Sequence, residues 1–267
     1  MIVSPSGRFC RALPLLGWLA AFAALTALTQ IGGVIFAVSH IAGHRWHLGR
    51  AARASLFCVF YLLAMFVAVP RLAPFFGREA LACVDGDHPY RAQSIFYCAT
   101  GRNYVRPPVK AHLSRIADDL AVRFPGTVVT YLDAGFPFAD GFPLPPHLSH
   151  RDGRKLDLAL FYRDRDPGGA WPIGYWALTP PATSTTPACA RDGLFRWNMA
   201  WLQPLLPVHQ LDVERTRALI QAITATKPQK IFLEPHLVRS LQLEGKGLLF
   251  AGCHAARHDD HVHVQWP

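Results

Sequence analysis

The placement of the acidic residues constrains this chain more than any other feature. All 18 Asp and Glu lie beyond position 77, and the first 77 residues carry six Arg, no Lys and no acid. Within that stretch, residues 12–39 (ALPLLGWLAAFAALTALTQIGGVIFAVS) contain no charge at all. A membrane-spanning helix needs about 20 apolar residues, whereas the apolar core of a cleaved signal peptide has about 7–15. The run is therefore read as a span. Residues 54–69 (ASLFCVFYLLAMFVAV) form a second, shorter run closed by Pro70, near the lower limit for crossing. The expectation is a membrane anchor over 1–76 with two transmembrane helices, about 12–39 and 54–70, followed by one domain over 77–267.

Charge follows this division. The formal net charge of +9 splits into six Arg in the anchor and 21 basic against 18 acidic residues in the remainder. The basic excess is thus no argument for a nucleic-acid partner, and none is expected. Arg45, Arg50 and Arg53 lie between the two runs, and Arg8 and Arg11 precede the first. Positive charge gathers on the cytoplasmic side, so three against two places the loop inside and both the short amino-terminal tail and the domain outside. Cys10 and Cys58 belong to the anchor, while Cys83, Cys98, Cys189 and Cys253 form an even set in the domain. An oxidising compartment permits two disulfides there, with three possible pairings.

The domain mixes element types. Residues 109–124 place Ile116, Leu120 and Val122 near one face of a predicted helix. Asp212 caps a second helix running to about Thr226, with Glu214 in its first turn. Strands are predicted at 127–134, 155–163, 230–235, 247–252 and 262–266 from their β-branched or apolar runs. Proline-rich loops, among 22 Pro in all, argue against an all-helical fold. The fold class is α+β, an antiparallel sheet with flanking helices.

Two segments concentrate the chemistry. PPHLSHRDGRKLDLAL (145–160) carries His147, His150, Gly153 and Asp157, and RHDDHVHVQW (257–266) carries His258, Asp259, Asp260, His261 and His263. Five of the 13 His fall in these two segments. Imidazole and carboxylate are zinc donors, and a catalytic zinc takes three protein ligands and keeps one position open. On one helix His150 and Asp157 would lie about 10 Å apart along the axis, too far to share a metal. A loop turning at Gly153 into a strand brings them together. Side chains alternate along a strand, so His261 and His263 share a face. One can ligate a metal while the other faces the same pocket as an acid–base group. His88, His112, His209 and His236 have no evident partner in the sequence and are read as structural or exposed.

This pattern resembles the penicillin-insensitive murein endopeptidases, over roughly residues 125–266. More broadly it resembles the metallopeptidase group that includes lysostaphin, the D-alanyl-D-alanine peptidases and hedgehog domains. The shared features are a His, a Gly three later, an Asp seven later and a distant His-x-His, here His150, Gly153, Asp157, His261 and His263. The resemblance implies a zinc peptidase acting on peptidoglycan peptides; joined with the anchor read above, the expectation is a two-pass protein of the bacterial inner membrane with its domain in the periplasm. His150, Asp157 and His263 would hold Zn²⁺, and His261 would act as base or stabilise the transition state. His147 matches another His near the metal in those endopeptidases. His258, Asp259 or Asp260 would orient His261, and Arg151, Arg154 or Lys155 would meet a substrate carboxylate. The chain departs from the family at Arg154-Lys155-Leu156, which makes the site edge more basic, and in its anchor. The alternatives are a D-Ala-D-Ala carboxypeptidase, a non-catalytic zinc-binding wall sensor or scaffold, and a metal-storage site.

Overall fold

The computed structural model describes residues 6–84, 86–164, 174–175, 208–252, 255 and 257–267, with side chains from Leu15 onward. The charge-free run does not form one helix. A helix over Ser6–Thr29 ends at Gln30, whose φ of 64° lies in the left-handed region, and a second helix, Gly32–Arg45, turns back along the first. The reason is local chemistry. Thr26 and Thr29 hydroxyls bond the carbonyls of Phe22 and Leu25, and the Gly32 amide donates to Thr29 Oγ1. A Cβ on Gly33 would sit 2.0 Å from Thr26 Oγ1, so only glycine lets the two helices touch here. Trp18 then packs on Phe36 with ring centroids 5.5 Å apart. The expected 12–39 span is thus a helical hairpin, because a Gln-Ile-Gly-Gly tip interrupts an otherwise apolar run.

The second expected span is longer than its apolar run. One continuous helix covers Arg50–Phe76, 27 residues, with a π-helical turn at Ala64–Ala68. Pro70 sits within it at the start of a fresh segment, where its missing N–H is tolerated. Among the described residues this is the one helix long and apolar enough to cross a membrane; Leu15–Thr29 is a shorter apolar helix. The two-span expectation therefore reduces to one such helix beside a hairpin.

The domain is α+β. Strands β1 (Glu79–Ala80) and β3 (Tyr104–Val105) form a small antiparallel pair. The main sheet has five strands in the order β2-β4-β5-β7-β6, namely Tyr90–Ala92, Val129–Tyr131, Lys155–Ala159, His261–Gln265 and Lys230–Phe232. All its pairings are antiparallel except β2 with β4, a parallel edge that the sequence reading did not anticipate. The predicted strand at 247–252 is not formed. Leu249 makes only an isolated bridge to Phe232, since Gly247 and Gly252 adopt positive φ on either side.

Two helices, Pro107–Arg123 and Val213–Ala225, cover one face of this sheet. The first buries Val109, Leu113, Ile116, Ala117 and Leu120, a 3–4-residue spacing. Val122 is 82% exposed, against expectation, because it lies about 200° round the helix from Leu120. The second starts at Asp212, whose carboxylate accepts from the Arg215 amide as an N-cap. Both helices share one apolar cluster with Leu156, Leu158, Val262 and Val264. Each such Leu or Ile contributes about 1.5–3 kcal/mol by leaving water. Alternation along β5 and β7 turns Asp157, His261 and His263 to the opposite face.

Candidate metal centre

Strand register builds the centre. Asp157 of β5 stands directly opposite His263 of β7, and Ala159 opposite His261. Residues paired in this way project on the same side of the sheet, close enough to touch. His263 Nδ1 lies 2.8 Å from Asp157 Oδ1. The small side chain of Ala159 leaves space beside His261.

His150 reaches the same point from the loop before β5. Gly153 turns that loop at φ 67°, and a Cβ there would meet the Arg78 guanidinium at 2.7 Å. Glycine is therefore required both for the turn and for the contact. The Arg106 amide donates to Gly153 O and its Nε to Asp152 O, while Asp140 pairs with both Arg78 and Arg106. So fixed, His150 places Nε2 3.2 Å from Asp157 Oδ1 and 3.1 Å from His263 Nδ1. Its Nδ1 lies 2.6 Å from the Ala134 carbonyl. A carbonyl only accepts, so Nδ1 carries the proton and Nε2 presents a lone pair.

Three donor atoms thus form a triangle with edges of 2.8, 3.1 and 3.2 Å. Tetrahedral ligands at zinc–donor distances near 2.0–2.1 Å stand about 3.3 Å apart, so the residues fit such an ion closely. His147, His150 and Asp157 also form a group able to hold a metal ion, with donor atoms within 4.8 Å of one another. His147, however, turns its Nδ1 to Asp133 Oδ2 at 2.8 Å and stands 3.3 Å from Asp157 Oδ2, the oxygen facing away from the triangle.

That second oxygen belongs to a network the sequence reading missed. Tyr175 donates its hydroxyl to Asp157 Oδ2 at 2.7 Å, and the same hydroxyl lies 3.1 Å from Asp133 Oδ2 and from His147 Nδ1. Arg102 grips Asp133 through both oxygens, Nε to Oδ1 at 2.5 Å and Nη2 to Oδ2 at 2.8 Å. Arg102 and Asp133 are 4% and 1% exposed. A buried pair of this kind is retained only with such paired hydrogen bonds. The one sequence signal was Asp133 as the lone charge in the β-branched run 127–134; nothing marked Arg102 or Tyr175.

Electrostatics separate the histidines. Burial pushes His263 down to about 4 despite Asp157, so it is a neutral donor at physiological pH. Burial, then His261 and His263, hold His258 well below the ordinary range as well. Burial also opposes the charged forms of His147 and His261. The contacts with Asp133 and Asp157 outweigh it at His147, raising it to about 10. At His261 the fields of Asp157 and Asp260 do the same, raising it above the ordinary value. Asp157 is held well below the carboxylate range; burial raises it, and His150 and His261 more than compensate.

Of the three candidates to orient His261, one does so. Asp260 Oδ1 lies 2.5 Å from His261 Nδ1. Asp259 pairs instead with Arg257, and His258 only packs its ring against His261 at 5.0 Å. With Nδ1 held by Asp260, His261 Nε2 faces the centre, 3.8 Å from Asp157 Oδ2. Arg151 and Arg154 are exposed, while Lys155 is buried against Asp152 at 2.6 Å and is committed to the loop.

Comparison with known protein families finds no matching family model, and comparison with curated proteins finds no match. The reading of this chain rests on its own residues. Among the described residues the other histidines of the domain do not join the centre. His88 pairs with Asp118 and His209 with Asp164, and His112 stacks on Trp266. Cys83 and Cys98 form a disulfide, while the expected roles of Cys189 and Cys253 lie outside the described residues.

Proposed function

We propose that this chain is a zinc-dependent hydrolase of peptide cross-links in bacterial peptidoglycan, of the murein endopeptidase type, anchored in the inner membrane with its domain in the periplasm. The observation that carries the reading is the convergence of His150 Nε2, Asp157 Oδ1 and His263 Nδ1 within 3.2 Å of one another, with His261 on the same face but outside the triangle. Three donors of this type with an open side suit a catalytic rather than a closed structural zinc. Zinc held there supplies Lewis acidity and lowers the pKa of a bound water.

The chain's own residues supply the rest. His261, held through Nδ1 by Asp260, presents Nε2 to take or return a proton at the scissile amide. Tyr175 fixes the outer oxygen of Asp157 and leaves Oδ1 for the ion. Arg151 and Arg154 at the exposed rim meet a carboxylate of the wall peptide. A D-Ala-D-Ala carboxypeptidase would use the same groups on a chain-terminal bond. Metal storage is a poorer reading, because it calls for soft or excess ligands and Cys83 and Cys98 are already joined as a disulfide.

Placement of the domain outside is supported by that disulfide, which persists in an oxidising compartment. It is supported also by the hairpin. Because the chain reverses at Gln30, the amino-terminal end of Ser6–Thr29 and the loop before Arg50 lie at the same end of the helices. Arg8, Arg11, Arg45, Arg50 and Arg53 then gather on one side, against Arg71 near the other. This single-sided charge replaces the three-to-two margin and puts the amino terminus inside rather than outside.

The test is zinc content and cleavage measured together on the full chain in detergent micelles. Cross-linked wall peptides should be cut, a chelator should stop it, and His263→Ala should lose both metal and cleavage. His261→Gln should keep zinc and lose about 10²–10⁴-fold in turnover, the worth of a positioned acid–base group. Zinc bound with no cleavage in the native chain would leave a wall-binding scaffold as the function.

A further inference from the structure

We infer that the seam between the membrane helices and the domain is a seat for one acyl chain of a bilayer phospholipid, and that this chain braces the loop leading to the metal centre. The inference rests on the membrane-anchored reading above. The seam encloses a groove of about 460 Å³. Helix residues such as Val34, Ala64, Ala68 and Leu72 line it together with Phe138 and Phe142 from the domain.

Three features point to a lipid chain rather than water or a peptide. The lining is almost wholly apolar, so water gains nothing by filling it. Two of its lining residues, Val34 and Leu72, are 56% and 48% exposed and belong to the apolar outer surface of the helices. The groove is therefore continuous with the surface a bilayer would cover. The π-helical turn Ala64–Ala68 lines it with small residues, widening the helix surface where a chain would lie. The Gln30 side chain accepts from the Phe138 amide through Oε1 and so ties the hairpin tip to the domain side of the groove.

The domain wall of the groove is not free to drift. Phe138 packs on Phe76 and Phe142 on Phe136, and Asp140 between them pairs with Arg78, whose guanidinium lies against Gly153, and with Arg106, which donates to the carbonyls of Gly153 and Asp152. A chain in the seat therefore presses on the segment 136–142 and, through it, on the loop that carries His147 and His150.

The experiment uses the full chain in nanodiscs doped with a phospholipid bearing a photoactivatable group at the end of one acyl chain. After irradiation and digestion, labelled peptides are mapped by mass. Label is expected on the peptide holding Phe138 and Phe142, which lies outside the membrane helices, as well as on bilayer-facing Leu62 and Leu63. Ala68→Trp or Val34→Trp, both at the exposed mouth, should cut the Phe138–Phe142 label at least about ten-fold, equivalent to a clash of about 1.4 kcal/mol, and leave the Leu62–Leu63 label unchanged. Label on Leu62 and Leu63 but none on Phe138 or Phe142 overturns the seat and keeps the membrane anchor. Label on the loop that neither variant reduces also overturns the seat. A chain that stays out of the nanodiscs and takes no label anywhere overturns the anchor and the seat together.

Discussion

Tyr175→Phe isolates the contribution of the network behind the metal centre. The substitution removes one hydroxyl and leaves the ring, so packing of that ring on His147 and His261, at 4.8 and 5.0 Å, is retained. What is lost is the 2.7 Å hydrogen bond to Asp157 Oδ2. A hydrogen bond to a charged group is worth about 1.5–3 kcal/mol. Asp157 Oδ2 keeps His147 Nδ1 at 3.3 Å as a replacement partner, so the loss should fall in the lower half of that range. About 1.5–2 kcal/mol corresponds to roughly 10–30-fold weaker zinc binding, within the 10–100-fold expected when a ligand's outer partner is removed. Competition between the full chain and a chromophoric chelator measures the zinc dissociation constant. Thermal melting of the metal-free forms, run in parallel, separates loss of affinity from loss of fold. Affinity within two-fold of native, with both forms equally folded, would falsify the claim that Tyr175 holds Asp157 for the ion.

Other expectations follow from the same geometry. Asp133→Asn leaves the Arg102 guanidinium, 4% exposed, without its counter-charge, and the denaturant midpoint should fall by the equivalent of about 3–5 kcal/mol; a loss below 1 kcal/mol would show that Arg102 finds another partner. Burial, with Asp260 adding to it against Arg257, raises Asp259 to about 6, so its ionisation destabilises the fold and stability is lost as pH rises from the ordinary carboxylate range through 6. The stability of Asp259→Asn relative to native should therefore grow from pH 4 to about 6.5 and then level off, by at most about 3 kcal/mol; a difference that shrinks over that window would reverse the assignment. Reporters active only outside the cytoplasm should work when fused after Pro267 and fail when fused at the amino terminus, whereas activity at both ends would refute the hairpin topology.

How much of this was legible in the sequence depends on the range of the interaction involved. Composition along the chain marked the acid-free anchor, because hydropathy is a sum over neighbours. Spacing marked His150, Gly153 and Asp157, and the alternation of β7 put His261 and His263 on one face. Gly153 could be read as a turn, since loop and strand had to meet there. The N-cap at Asp212 was equally local, a side chain bonding its own helix. What the sequence reading did not reach was anything decided by a fit in three dimensions, whether the partner is near or far along the chain. The break at Gln30 depends on two glycines fitting against Thr26 and Thr29 of the preceding helix, which turns an apolar run of spanning length into a hairpin. The choice of Asp260 over Asp259 depends on which carboxylate β7 turns toward the His261 ring, not on which is nearer in sequence. Arg102, Asp133 and Tyr175 enter the centre only because β4 and β5 lie side by side and fold Asp133 behind Asp157. Local periodicity fixes which face a residue occupies; only the packed sheet, pairing strands more than a hundred residues apart, fixes which residues meet on that face.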